Sequence, residues 1–408
     1  MINMQSMFEL YSSEFDKLHF EPQLLNNEKD SKMLSMLRDE HESSFSVYAQ
    51  RSAQSKGRVE YEEPCVIRSP YERDMGRIIF SQSFRRLRHK TQVFFNPLND
   101  HICSRIEHVV YVNYISTIIG RALNLNVDLI QAIAMGHDIG HAPFGHTGER
   151  ALNECIKSVD PELFFEHEVH GLRVVDVLEE HRPGKYGLNL TFEVRDGIVS
   201  HCGETYNENE IRPVRDKKPS DIVNKKEKDR TPPATMEGCV VRLADKVAYV
   251  GRDVEDARRA GIIGSSDFLP GHVVKRLGTT NAETINILVG DIVHSSMDSG
   301  CIRMSEGNFK AMNEFLNRNY EEIYSAGKIR TYEKTIDILI KALFDVFMQA
   351  SEDIEKAAAS ESDTMRAFAE YYKGHPEKDA RPVIKVIDYI AGMTDSYANS
   401  CFDSLFKV

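Results

Sequence analysis

From Tyr71 onward, apolar residues return every three or four positions and strand-like alternation is scarce, so this chain has to bury its hydrophobic surface between helices. Val109, Val112, Ile115, Ile119 and Ala122 mark one helical face. A second helix runs from about Val127 to Ile139, with Asn126 as its N-cap and Gly140 and Pro143 as its stop. The same period continues through Glu193–Ser200, Val240–Ala260, Glu283–Met297, Phe309–Tyr324, Tyr332–Ser351 and Pro382–Leu405, without an internal repeat. The expected fold is all-α. Residues 212–233 carry four prolines and a mixed charge run, the pattern of an exposed loop.

Composition removes several classes. The 408 residues are 41% apolar and 28% charged, room for two or three domains of roughly 100–200 residues each. No run approaches the ~20 apolar residues that span a bilayer, so no membrane association is expected. Met1–Asp16 has neither the basic start nor the apolar centre of a secretory leader. The seven cysteines are scattered and never form a CxxC pair, which suits reduced thiols and a cytoplasmic location. A net charge of −12 disfavours a nucleic-acid coat protein, although Arg85–Lys90 forms a basic strip that reads either as a solvated face or as an anion-binding wall.

Histidine is the feature that points to chemistry. Nine of the fifteen fall between His101 and His201. His108 shares the buried face of Val112, Ile115 and Ile119, and His137 follows Ile130 and Ile133 at helical spacing. Either one alone reads more simply as a hydrogen-bonded core histidine. His137, however, leads directly into Asp138, Gly140, His141, Pro143 and His146, a helix end with room for an ion. Asp245 lies in the apolar run Val241–Ala248, where a carboxylate needs a cation; alone, a salt bridge to Arg242 or Lys246 would serve.

Taken in order, Arg105-Ile106-Glu107-His108, the stretch H-D-I-G-H-A-P-F-G-H-T-G-E from His137 to Glu149, and Asp245 resemble the HD-domain metal-dependent phosphohydrolases. Within them the chain is similar to the deoxyguanosine-triphosphate triphosphohydrolases, from about residue 68 to the end. Arg73–Val93, Phe165–His167, Gly187–Thr191, Ala244–Tyr249 and Asp388–Asp395 carry the likeness. The resemblance implies an N-terminal arm over 1–67, an HD phosphohydrolase domain over 68–262 and a helical associated region over 263–408. It implies a divalent metal on His108, His137, Asp138 and Asp245, with Mn²⁺ or Mg²⁺ favoured, and Fe²⁺ or Zn²⁺ compatible with the mixed N/O donors. It implies His146 and Glu149 as an acid/base pair, with His167 a third active-site histidine. His141, Arg105 and Lys246 would face phosphate, and Gln92, Tyr249 and Asp253 would face the sugar, as in the related vertebrate dNTPase.

The implied reaction converts a deoxynucleoside triphosphate, dGTP favoured, to the deoxynucleoside and inorganic triphosphate. Two alternatives stay open. One keeps the metal and changes the substrate to a monophosphate, a cyclic nucleotide or (p)ppGpp. The other is a nucleotide-binding regulator whose basic strip holds single-stranded DNA. The family also implies a homo-oligomer, with DNA or a dNTP as modulator.

Overall fold

The computed structural model describes residues 28–94, 101–202, 209–223, 226, 230–264 and 268–407. The expectation for Met1–Asp16 and part of the proline-containing loop lie outside them. The helices that build the site are α1 (Pro70–Phe80), α2 (Arg105–Ala122), α3 (Val127–Gly136), α4 (Gly145–Val159), α5 (His167–Arg173), α6 (Phe192–Val199), α7 (Met236–Val250) and α8 (Arg252–Arg259). The C-terminal region adds α9 (Gly327–Glu352), α10 (Asp363–Gly374), α11 (Pro382–Ala391) and α12 (Asp395–Phe406). Glu28–Ser43 and Asn281–Ser296 are among the further helices. The strands among the described residues are two short antiparallel pairs, Glu180–Arg182 with Lys185–Tyr186 and Glu210–Ile211 with Ile302–Arg303. In the second, Glu210 faces Arg303 and Ile211 faces Ile302. The fold is all-α.

Local chemistry sets where the helices begin. Ser104 and Glu107 form a capping box that starts α2 at Arg105 and puts His108 in its first turn. Asn126 caps α3 by accepting from Leu129 N, and α3 ends at Gly136, which leaves His137 and Asp138 at its C-terminal end. Thr235 caps α7 in the same way. α3 packs against α1, α2, α6 and α7. Ile78, Val112, Ile115, Ile133, Ile198 and Val247 fill that core, each worth about 1.5–3 kcal/mol of buried apolar surface. A second core joins α4 to α9 and α11 through Leu152, Ile156, Phe344, Phe347, Phe368 and Ile387. α4 is therefore sequence-adjacent to the first core but packed on the second, and the loop between α3 and α4 bridges the two.

Three readings need correction. The helix expected over Val240–Ala260 is divided at Gly251, a position where a β-carbon would meet Asn281 Oδ1 at 2.6 Å. Residues 212–233 are not simply exposed: Ile222 is buried, and Lys217 is buried with its Nζ 2.7 Å from Asp196. The strip Arg85–Lys90 is divided as well. Arg85, Arg88 and His89 are exposed, but Lys90 is buried, donating to the carbonyls of His141 and Ala391. Among the described residues no helix is long and apolar enough to cross a membrane.

Candidate active site

Three helices bring His108, His137, Asp138 and Asp245 to one buried spot. His108 Nε2 lies 2.9 Å from Asp245 Oδ1 and 3.8 Å from Asp138 Oδ2, and His137 Nε2 lies 3.5 Å from Asp138 Oδ1. His137 Nδ1 sits 2.7 Å from the Ala134 carbonyl, which can only accept, so this nitrogen carries the proton. Nε2 then points a lone pair inward, and it has no hydrogen-bond partner among the described residues. Asp245 pairs with His108, and Arg242 donates to Ser200 O.

The electrostatics ask for a cation. Burial opposes the imidazolium at His108, yet the Asp245 and Asp138 carboxylates outweigh it and raise its pKa. Burial also opposes ionisation of Asp138, but His137, Arg105 and His141 hold its carboxyl well below the ordinary range. Two imidazole nitrogens, one of them the His137 Nε2 without a hydrogen-bond partner among the described residues, and two carboxylates fit a divalent ion, and ligand type alone admits several first-row metals or Mg²⁺.

Arg105 Nη1 donates to Asp138 Oδ2 at 2.8 Å, while Nε and Nη2 reach the carbonyls of Thr91 and Gln92. The guanidinium is thus an orienting partner of Asp138 in this structure, one step removed from the phosphate-facing position the resemblance implies. His141 Nε2 lies 3.1 Å from Asp138 Oδ1, and its ring stacks on His167 at 3.8 Å. Gly140 is obligatory: a β-carbon there would strike the backbone of His167 and Gly171, where α5 crosses the loop.

Glu149 links the remaining histidines. Its carboxylate lies 3.1 Å from Nδ1 of His146 and 3.0 Å from Nδ1 of His167, which fixes both tautomers and turns both Nε2 atoms away from it. His146 is exposed and His167 buried. Burial disfavours the charged form of His167, but Glu149 and Glu168 overcome this and raise it to about 9. Lys246 is buried one position after Asp245, and Tyr249 is half-buried one turn along the same helix. The Gln92 Oε1 atom is buried without a hydrogen-bond partner among the described residues. Asp253 lies beyond the break, on α8, where Tyr324 donates to it; burial, opposed by that bond, lifts it to about 7.

Several residues escaped the sequence reading. Asp395 accepts from Phe144 N (2.8 Å) and from Thr91 N (2.9 Å), tying both flanks of the site to the start of α12. Lys90 braces the His141 carbonyl from the same side. His201 and Cys202 stand against His167. The hints in the sequence were the extension of the histidine cluster to His201 and the place of Asp395 in the block that carries the resemblance.

Residues 105–250 match the HD domain model and residues 302–404 match the Phosphohydrolase-associated domain model. Among curated proteins, one from Desulfatibacillum aliphaticivorans is 38% identical over 367 residues, 89% of this chain and 94% of the relative. One from Caldanaerobacter subterraneus subsp. tengcongensis is 37% identical over 362 residues, 89% and 92% of the two chains. One from Clostridium tetani is 34% identical over 361 residues, 87% and 91%. Each bears the name deoxyguanosinetriphosphate triphosphohydrolase-like protein.

Proposed function

The chain belongs to the HD-domain family of deoxyguanosinetriphosphate triphosphohydrolase-like proteins, and from that premise we propose that it hydrolyses deoxynucleoside triphosphates, dGTP foremost, at the α-phosphorus. The products are the deoxynucleoside and inorganic triphosphate. The observation that carries this reading is the convergence of His108, His137, Asp138 and Asp245 on one spot, with the Glu149-anchored histidines beside it.

In this reading those four residues hold one divalent ion, Mn²⁺ or Mg²⁺. Such an ion supplies charge neutralisation at the attacked phosphoryl group and an activated water. The protein's own groups do the rest. Arg105 fixes the Asp138 carboxylate, and the Ala134 carbonyl fixes the His137 ring. Glu149 accepts from Nδ1 of both His146 and His167, so each presents Nε2 for proton exchange. Buried His167, held protonated by Glu149 and Glu168, delivers a proton from Nε2 to the departing 5′-oxygen. Exposed His146 takes the proton of the attacking water. His141 and Lys246 line the phosphate path. Tyr249, one turn from Asp245, packs against the sugar, and Gln92 with Asp253 reaches the 3′-hydroxyl. A ribonucleotide would crowd its extra hydroxyl against the Tyr249 ring and leave it unpaired.

The test is a product assay of the four dNTPs, their ribonucleotide counterparts and monophosphates with Mn²⁺ or Mg²⁺. Release of intact triphosphate from dNTPs is expected. Release of pyrophosphate or orthophosphate, or equal turnover of dGTP and GTP, would return the chain to the broader phosphohydrolase reading.

A further inference from the structure

Beside the proposed metal centre, His167, His201 and Cys202 bring three donor atoms together. The two rings are pinned in the same way. His201 Nδ1 lies 2.6 Å from the Ile198 carbonyl, which can only accept a proton, and His167 Nδ1 lies 3.0 Å from the Glu149 carboxylate. Each ring therefore directs Nε2 away from its anchor, and both point at one sulfur: His167 Nε2 is 3.4 Å and His201 Nε2 is 3.8 Å from Cys202 Sγ. Histidines oriented by a carboxylate or a backbone carbonyl are the usual supports of metal-binding imidazoles. The spacing is also that of a shared ion: tetrahedral bonds of ~2.0–2.1 Å to nitrogen and ~2.3 Å to sulfur separate N and S by about 3.6 Å. The two observed separations bracket that value, and both rings meet the same sulfur.

The geometry points to a second cation site, made by His167 Nε2, His201 Nε2 and Cys202 Sγ and suited to a thiophilic divalent ion such as Zn²⁺, with a fourth position open to water or a phosphate oxygen. It is separate from the His108–His137–Asp138–Asp245 set, which offers no sulfur, yet next to it: the His137 and His201 rings are 5.0 Å apart. When the ion binds, the Cys202 thiol and the His167 Nε2–H each release a proton to solvent, since a thiolate and a neutral imidazole are the ligands. An ion there occupies the His167 nitrogen that the proposed reaction uses for proton delivery, so a thiophilic metal switches turnover off while Mn²⁺ or Mg²⁺ at the first site supports it. The binding site stands on the geometry alone; the switching rests on the proposed function.

Titration of the metal-free full-length chain with Co²⁺ separates the two. Wild type is expected to take two equivalents and to develop a thiolate-to-cobalt charge-transfer band. Cys202→Ser, nearly isosteric, should lose the band and one equivalent; Asp245→Ala should keep the band and lose the other. Absence of the band from wild type, or its survival in Cys202→Ser, overturns the site. If the band behaves as expected but Zn²⁺ leaves Mn²⁺-dependent turnover unchanged, the site stands and the switching role falls. If no dNTP turnover is found with any metal, the proposed function falls while the titration still judges the site.

Discussion

Two buried carboxylates, Asp138 and Asp388, sit among the same partners, histidines and one arginine, and do opposite jobs. At Asp388 the Arg173 fork grips both oxygens, with Nε at 2.9 and 3.0 Å and Nη2 at 2.7 Å, and His375 Nε2 completes the shell at 3.1 Å. His170 Nε2 stands 3.5 Å away, and its Nδ1 lies 2.9 Å from the Gly140 carbonyl, so the cluster braces the loop that follows Asp138. The same Nη2 also meets the exposed Glu377 at 2.6 Å, so the guanidinium joins a buried carboxylate to one at the rim, and the network closes on itself. At Asp138, Arg105 supplies a single nitrogen to the carboxylate, and a second carboxylate, Asp245, faces the same space. Arg105 bonds Asp138, and the two carboxylates together raise the pKa of His108, so the cluster draws positive charge into a setting where unpaired buried charge costs several kcal/mol. A histidine–aspartate cluster is thus a cation site when its charge is left open, and a structural brace when an arginine fork closes it.

Six substitutions and one pH titration sharpen this contrast. Asp138→Ala should abolish turnover, because it removes the residue that both histidines and Arg105 surround; wild-type kcat would break the assignment. His146→Ala should lower kcat by ~10²–10⁴, the range for a positioned proton-transfer group, with metal content kept. Glu149→Gln should do the same more mildly, since it keeps the shape and removes the charge that orients both rings.

Asp388→Ala should act on the fold instead. Removing the carboxylate that His375 and the Arg173 fork surround leaves Arg173 only the exposed Glu377 and costs about 2–4 kcal/mol, read as a lower Tm and denaturation midpoint. Turnover per folded molecule should fall far less than in Asp138→Ala. The pH dependence has a definite sign. Burial opposes ionisation of Asp388, but His170, His375 and Arg173 hold its carboxyl well below the ordinary range. A carboxyl depressed in the folded state stabilises above its unfolded value of ~3.9, and that contribution fades as pH falls through the folded one. The stability gap between wild type and Asp388→Asn should therefore be full near neutrality and shrink below about pH 4. A gap that widened with acid would contradict the closed-network account.

The smallest effect belongs to the wall of the open cluster. Tyr249→Ala should raise kcat/KM for GTP relative to dGTP by ~10-fold, the scale of one added or removed steric contact in a pocket. An unchanged ratio would move sugar selection elsewhere.

How much of this was legible in the sequence follows from how local each signal is. Capping boxes and apolar periodicity lie within a few residues, so α2, α3 and the buried placement of His108 and His137 could be read directly. The H-D-I-G-H stretch is local too; Asp245 stood out as a carboxylate in an apolar run, and only the resemblance assigned it to the metal rather than to a salt bridge. What could not be read depends on contacts across long separations. Position 251 has to be glycine because Asn281 comes close; Lys90 leaves the surface because Ala391 and His141 offer carbonyls; Asp253 points to Tyr324. Asp395 resembled the family's C-terminal block, yet nothing in its neighbours announced that it holds Phe144 and Thr91. Spacing put His170 and His137 in one cluster of histidines, and only the fold assigned one to a brace and the other to an ion.

The most direct test is elemental analysis of the wild-type chain, Asp138→Ala and Asp388→Ala after equilibration with Mn²⁺ and removal of unbound metal. The account predicts that wild type and folded Asp388→Ala each retain one Mn²⁺ per chain, whereas Asp138→Ala retains none. Equal manganese in Asp138→Ala and wild type would contradict it.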